Sequence, residues 1–342
     1  MQRIFGLIKD KAEKLLAGGT VNRIIGWTGG EFFYDPTPAV FKSKEELEGL
    51  VYNSFCASNL SKYLINESKK DGKILALLKP CDTYGFNQLV KEHRINKDNV
   101  YVLGIECSGM IDINKIRDLG IKGITGISEE DDSLVIQTIY GEKSCRRSDV
   151  LLEKCLCCKG KQHMAYDELV CADKPTDGSC QDTLEASAKP SESTTDRFEM
   201  VKKLEAMSPE ERYSFWRDEL SKCIRCNACR NICPSCSCVK CVFDNDASGI
   251  ASKANTDAFE ENLFHIIRAF HVAGRCTDCG ECSRVCPQHI PLHLLNRKII
   301  KDINELYGEY QAGKDAESRG PLTDFAMDDP EPGIVAERGG DH

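Results

Sequence analysis

The 342-residue sequence has no apolar run near the length of about 20 residues that a membrane-spanning helix needs. Its opening stretch, Met1–Lys11, holds no long apolar segment of the secretory kind, and charges follow at once. A cytoplasmic location is therefore expected. Basic excess is also lacking: a net charge of −9 argues against nucleic acid as a partner. No G-x-G-x-x-G is present, and Gly120, Gly123 and Gly126 recur at the wrong interval for that dinucleotide fingerprint. No Ser/His/Asp or paired-carboxylate constellation stands out, so no catalytic residue is assigned. What the chain has in excess is cysteine, with 20 residues. A secreted disulfide scaffold would be shorter and would carry a leader. The thiols are accordingly expected to be metal ligands in a reducing, anaerobic cell.

Eight of them fall in two runs, Cys223-Ile-Arg-Cys226-Asn-Ala-Cys229-Arg-Asn-Ile-Cys233-Pro234 and Cys276-Thr-Asp-Cys279-Gly-Glu-Cys282-Ser-Arg-Val-Cys286-Pro287. Each reads C-x2-C-x2-C-x3-C-P, the spacing by which bacterial-type ferredoxins hold [4Fe–4S] clusters. Three closely spaced thiolates wrap three corners of one cubane, and the fourth cysteine leads away and ligates the other cluster. One cluster is thus expected on Cys223, Cys226, Cys229 and Cys286, and the other on Cys276, Cys279, Cys282 and Cys233. The proline after each fourth ligand restricts the backbone and removes an N–H. Structural zinc is the competing reading, but zinc motifs supply two cysteines per half-site, without a crossed fourth before proline.

The N-terminal part predicts an α/β domain with a small, mostly parallel sheet. Helical periodicity covers residues 1–17, and one or two helices are expected over 43–66, opened by a capping box at Ser43 and Glu46. Two apolar runs, Lys73–Lys79 and Val100–Ile105, flank a helix near Tyr84–His93 and read as a βαβ unit. Ligands in such sheets sit beyond the carboxyl ends of the strands. Cys81 and Cys107 lie just past those ends and should be neighbours. With the cysteine-dense loop at 155–158 they suggest a third [4Fe–4S] site on Cys81, Cys107, Cys155 and Cys158, Cys157 being the rival ligand. The alternative is that Cys81 and Cys107 are small buried hydrophobes and the 155–158 loop has no ligand role. Asp82 and Glu106, beside two of these cysteines, read as polar support rather than proton carriers. Cys56 and Cys145 read as packing residues.

The domain is drawn at 1–171, followed by a polar linker at 172–198 that contains Cys180 and is flanked by Cys171, both unassigned. Residues 199–312 are expected to form a helix-rich α+β, dicluster ferredoxin-like domain. It begins with a helix near 197–206, then one capped by Ser208 with Pro209 and Glu211, bringing Tyr213, Phe215, Trp216 and Leu220 to the first cysteine loop. Cys236, Cys238 and Cys241 are extra to the ferredoxin pattern and read as cover for a cluster rather than a further metal site. An amphipathic helix over 257–273 carries His265 and His271, read as surface or packing residues, and a last helix covers about 291–311. The acidic tail, 313–342, is expected to be disordered alone.

The C-terminal half resembles the dicluster ferredoxin domain of anaerobic sulfite reductase alpha and sulfhydrogenase beta subunits, through Cys223–Pro234, Cys236-Ser-Cys238 and Cys276–Pro287. The N-terminal half resembles the beta subunits of deazaflavin-dependent hydrogenases and formate dehydrogenases. Lys79-Pro80-Cys81-Asp82, Gly104–Asp112 and Lys154–Cys158 carry that likeness. The resemblance implies an N-terminal cluster, often beside a flavin such as FAD, and electron passage between a catalytic subunit and a flavin or nicotinamide partner. The leading expectation is an electron-transfer subunit of a cytosolic redox complex (hydrogenase, formate dehydrogenase or heterodisulfide-reductase-like). Its partners would be the other subunits, a ferredoxin or a flavoprotein. The alternatives are a flavoenzyme that itself reduces or oxidises deazaflavin or NAD(P), and a structural zinc scaffold.

Overall fold

The computed structural model describes residues 2–130, 132–159, 162–171, 196–245 and 258–323. Most of the expected linker (172–195, with Cys180) and most of the tail (324–342) lie outside these. The chain divides into two units, Met1–Phe86 with His93–Thr195 and Asn87–Glu92 with Asp196–His342.

In the first unit the helix Gln2–Ala17 precedes β1 (Arg23–Thr28), β2 (Thr37–Phe41) and β3 (Leu50–Val51). β4 (Ile74–Leu78), β5 (Val100–Ile105) and β9 (Glu168–Val170) complete a sheet ordered β2-β1-β4-β5-β9, with β3 also on β1. The pairs β1–β4, β4–β5 and β5–β9 are parallel, whereas β2 and β3 run antiparallel to β1. β4 is buried at every position, as a strand covered on both faces must be. Gly104 near the end of β5 is there for close approach: a Cβ would lie 2.5 Å from Leu169 Cδ2 and 2.9 Å from the His163 ring.

Two local departures from expectation have physical causes. The helix over 43–66 is confined to Lys44–Leu47 and a short turn to Leu64–Glu67. Between them Asn53 and Asn59 side chains accept the N–H groups of Phe55 and Ser61, both at 2.9 Å, competing with a helical ladder. The helix after β4 starts earlier than expected, running Pro80–Lys91 with proline in its first turn. Sequence reading also passed over a three-stranded antiparallel sheet, β6 (Ile124–Glu130), β7 (Ser133–Thr138) and β8 (Gly141–Arg146). Leu134 and Ile136 point from its middle strand into a small core with Phe55, Ile111, Ile116 and Val150.

Among the described residues the second unit is built from the α-helices Glu199–Glu205, Pro209–Leu220, Ala228–Ile232, Ala258–His271, Glu281–Arg284 and Leu292–Tyr307, with a single 3-10 turn at Val242–Asp244. This is the helix-rich dicluster region expected, and each cysteine loop passes directly into a short helix. The Ser208–Glu211 capping box forms in both directions, through hydrogen bonds of 3.2 and 3.0 Å. Leu220 is buried beside Cys229 and Cys282 with Trp216 against it, but Tyr213 is exposed and shields nothing. Of the expected disordered tail, residues 313–323 are placed: Ser318 and Glu317 N–H groups close on Asp315, and Lys314 N–H donates to the Gln311 carbonyl.

At the junction of β4 and its helix, Lys79 is completely buried. Its Nζ lies 2.9 Å from Asp82 Oδ2 and 2.9 Å from the Ser58 carbonyl, and 4.1 Å over the Trp27 ring. Breaking a buried pair from one side leaves an unmatched charge, costing about 3–5 kcal/mol. Lys79→Met should therefore lower the urea midpoint read by Trp27 fluorescence more than the double replacement Lys79→Met, Asp82→Leu. A double variant as unstable as the single would contradict this.

Candidate metal centre

The two cysteine loops of the second unit have the same backbone. Arg225 and Asp278, each two residues after its loop's first cysteine, both have φ of 52°. Asn227 and Gly280, each following its loop's second cysteine, have φ of 61° and 68°. Left-handed residues among right-handed ones turn successive N–H groups into one concavity, the nest that receives anions and iron–sulfur groups. The N–H of Arg225 donates to Cys223 Sγ at 3.4 Å. Those of Asp278 and Glu281 are turned to Cys276 and Cys279, repeating the two-residue offset, and that of Ser283 to Cys282. Asn296 Nδ2 adds a long contact to Cys282 Sγ at 3.8 Å.

Left-handed conformation is unfavourable for arginine and persists there only where surroundings over-determine it, whereas aspartate tolerates it better. Both side chains are buried and held. Asp278 lies 2.8 Å from Arg297 Nε and 3.5 Å from Arg197 Nη1. Arg225 lies 4.1 Å over the Phe264 ring and 3.7 Å from Glu261.

Each fourth cysteine has thiols of the opposite loop among its electrostatic neighbours, and Cys233 also acts on Cys229 of its own loop. Burial pushes Cys276 well above the usual thiol range, Cys279 up to about 12 and Cys282 up to about 11, and negative charge at Cys233 adds to each rise. Cys286 acts in the same sense on Cys229, after burial and against Arg268. Cys223, pushed by burial to about 12, has Cys229 as a neighbour, and Cys229 in turn has Cys226. Such thiols are protonated at neutral pH when metal-free and must lose a proton to a metal ion, so binding strengthens as pH rises. Thiolates with N–H donors directed at sulfur are the donor set that an iron–sulfur cluster takes, and these residues fit one.

Cys223, Cys226, Cys229 and Cys286 share one cavity with Phe264, His265 and Pro287. His265 was expected at the surface or in packing; it is buried, and neither ring nitrogen has a hydrogen-bond partner. Burial pushes its pKa down to about 3, with Arg268 and Arg225 adding. Cys223 Sγ, a Glu261 carboxylate oxygen and a His265 nitrogen lie within 4.8 Å of one another. Sequence reading missed these groups and Arg268 because their charge and polarity on an amphipathic helix ordinarily mark the solvent face. Their spacing, 261, 264, 265 and 268, traces one face and was the available signal. Of the extra cysteines, Cys238 is exposed and Cys241 is turned to Arg230, so neither serves as the cover expected of it. Cys236 N–H bonds the Cys233 carbonyl at 3.1 Å.

In the first unit the loop after β5 is pinned to the loop after β8. Leu152 N–H donates to the Met110 carbonyl and Asp112 N–H to the Val150 carbonyl, both at 2.8 Å. Arg147 binds the Ser108 and Gly109 carbonyls at 2.8 and 2.7 Å. Cys155 thereby comes beside Cys107: Met110 N–H donates to Cys155 Sγ at 3.3 Å and Gly109 N–H to Cys107 Sγ at 3.4 Å. Burial raises Cys107 to about 11, with negative charge at Cys155 and Cys158 adding, and Lys79 opposing. Burial and Asp82 raise Cys81, against Lys154 and Lys79, and Cys107 adds to the rise. The structure thus brings Cys81, Cys107, Cys155 and Cys158 into one electrostatic neighbourhood with two ammonium groups. Cys157 is buried, its Sγ 4.0 Å from Glu153 Oε1. Asp82 is committed to Lys79, and the Glu106 carbonyl accepts from Tyr52 Oη at 2.8 Å. Cys56 is fully buried, Cys145 packs on the β7 core, and Cys171 is in a disulfide.

The left-handed positions give a direct test. Gly280→Val places a β-branched side chain at φ of 68° and should reduce iron retained after anaerobic reconstitution, whereas Asn227→Gly should not. Equal iron and sulfide content in both variants would show that the nest geometry is unimportant.

Comparison with known proteins agrees with the geometry. Residues 219–290 match the family model described as a 4Fe-4S dicluster domain. The F420-dependent formate dehydrogenase subunit beta of Methanocaldococcus jannaschii is 26% identical over 346 residues, covering 89% of this chain and 90% of that protein. The F420-dependent formate dehydrogenase 1 subunit beta of Methanococcus maripaludis is 25% identical over 359 residues, covering 92% of each. A Sinorhizobium fredii protein named as a ferredoxin is 33% identical over 81 residues, 23% of this chain and 75% of that one. No helix among the described residues is long and apolar enough to cross a membrane. The chain thus contains a segment, 219–290, that matches the 4Fe–4S dicluster domain, and it is similar over 89% of its length to a formate dehydrogenase beta subunit, which supports an electron-transfer role.

Proposed function

We propose that this chain is the electron-relay subunit of a multi-subunit redox complex and holds three [4Fe–4S] clusters. Two are on Cys223, Cys226, Cys229 with Cys286, and on Cys276, Cys279, Cys282 with Cys233; the third is on Cys81, Cys107, Cys155 and Cys158. The observation that carries the reading is the repeated left-handed loop, with each fourth cysteine among the thiols of the opposite loop. Clusters bound there supply one-electron storage and transfer. The chain's own residues shield all of these thiolates but Cys158 and Cys226 at least in part from water, direct N–H groups at sulfur, and place Arg268, Lys79 and Lys154 as compensating cations. The names of the formate dehydrogenase relatives support a catalytic partner that oxidises formate and an acceptor of the F420 or flavin class. A ferredoxin or nicotinamide partner would serve the same electrical role.

Anaerobically purified chain should contain about twelve irons and twelve acid-labile sulfides. Cys155→Ser or Cys81→Ser should bring both to about eight and remove one component of the reduced EPR spectrum, while Cys157→Ser leaves them unchanged. About eight irons in the unaltered chain would remove the third cluster, and zinc in place of iron would remove the relay. The loaded chain alone should accept electrons from dithionite yet oxidise no formate; turnover by the isolated chain would make it an enzyme in its own right.

A further inference from the structure

The helix Ala258–His271 turns a face toward the cysteine loops that no apolar-face argument explains. Glu261, His265 and Arg268, at 3%, 1% and 4% exposure, are buried beside Phe264 on that face. Arg268 is the most costly of the three, since an ionised guanidinium cannot shed its charge as a buried histidine or carboxylic acid can. Among the described residues no carboxylate pairs with it. Its Nη2 donates to the Cys229 carbonyl at 3.2 Å, and its Nε has no hydrogen-bond partner. A buried charge so situated needs a compensating opposite charge nearby. The groups acting on it in that sense are Cys233, Cys282, Cys229 and Cys236, after burial, which opposes its charge. Cys229 belongs to one proposed cluster, and Cys233 with Cys282 to the other.

We propose that Arg268 is the shared counter-cation of the two C-terminal clusters and holds the reduction potentials of both above what the cysteine loops alone would set. The inference rests on the cluster ligation proposed above. A fixed positive charge beside both ligand sets stabilises each added electron, and burial keeps the interaction from being screened by salt. His265 and Arg225 instead line the cavity shared by Cys223, Cys226, Cys229 and Cys286, with a His265 nitrogen within 4.8 Å of Cys223 Sγ. Arg268 is therefore a positioning and tuning residue, ligating nothing itself.

The test is an EPR-monitored redox titration of the full chain as wild type, Arg268→Gln and Arg268→Lys, with iron and sulfide counted in each. Gln keeps a donor for the Cys229 carbonyl and removes the charge; Lys keeps the charge. In a fully loaded Arg268→Gln protein, both C-terminal potentials should fall, each one-electron equilibrium shifting by at least about tenfold, or about 59 mV. Arg268→Lys should stay near the wild type. If Gln fails to retain the clusters while Lys retains both at wild-type potentials, the requirement is for charge and the proposal stands. A loaded Gln variant with unchanged potentials, or with only one moved, overturns it. So does failure of Gln and Lys alike, which would make the planar fork, not the charge, the requirement. Wild-type protein lacking iron would instead sink the underlying cluster reading, so the two failures are separable.

Discussion

Burying sulfur as thiolate is the constraint on which the rest of this molecule depends. A thiol taken out of water prefers to keep its proton, and burial is the largest of the causes that move Cys107, Cys223, Cys279 and Cys282 up to about 11 or 12. Metal ligation requires the opposite protonation state. The chain opposes burial with the means that physics offers: N–H groups aimed at sulfur and cations held close. Both are costly on their own, since nests need left-handed residues and buried cations need counter-charges. Together they offset one another. The unmatched guanidinium of Arg268 and the raised thiols beside it are two halves of one electrostatic arrangement, which an anionic cluster completes.

The three sulfur sites use different devices for the same end. In the second unit the donors come from nest backbone, and the cation is an arginine, whose broad planar head can serve two ligand sets from one buried position. In the first unit the donors are Gly109 and Met110, from a loop clamped by Arg147, and the cations are Lys79 and Lys154, compact point charges anchored on the Ser58 and Ala57 carbonyls. A lysine ammonium has three donors. Lys79 uses them to tie the start of the helix after β4 to a neighbouring loop and to the Trp27 face, so fold and site share one residue. Its charge acts on Cys81, Cys107 and Cys155 alike.

Much of this was legible in the chain itself, and the remainder was not for identifiable reasons. Ligand spacing is a short-range property, so the two C-x2-C-x2-C-x3-C-P runs could be read directly. The βαβ unit followed from two apolar runs, and its geometry placed Cys81 and Cys107 together at the strand ends. Gly280 and Asn227 are residue types that tolerate left-handed backbone, and that much was open to inspection. Asp278 tolerates it less readily than asparagine or glycine and Arg225 is not such a type; both side chains are held by Phe264, Glu261, Arg297 and Arg197, which are remote in sequence. The β6–β8 sheet escaped because its buried alternation is confined to Leu134 and Ile136 within a polar segment. The helix over 43–66 was overcalled because asparagine side chains at 53 and 59 take up the N–H groups that a helix would use.

The face of Ala258–His271 is the deeper lesson, because periodicity was right about the helix and wrong about its polar residues. Amphipathic reading assigns charge to solvent because burying it is expensive in an apolar core. That premise fails where the core contains anions. Beside two sets of thiolates, an arginine at 4% exposure is a cheaper neighbour than leucine, since it lowers the cost of every negative charge near it. The same reasoning separates the thiols electrically. Cys158 and Cys226 are exposed, so one thiol of the N-terminal set and one of the C-terminal sets meet water, whereas Cys229, Cys233 and Cys282 are buried and depend on protein donors.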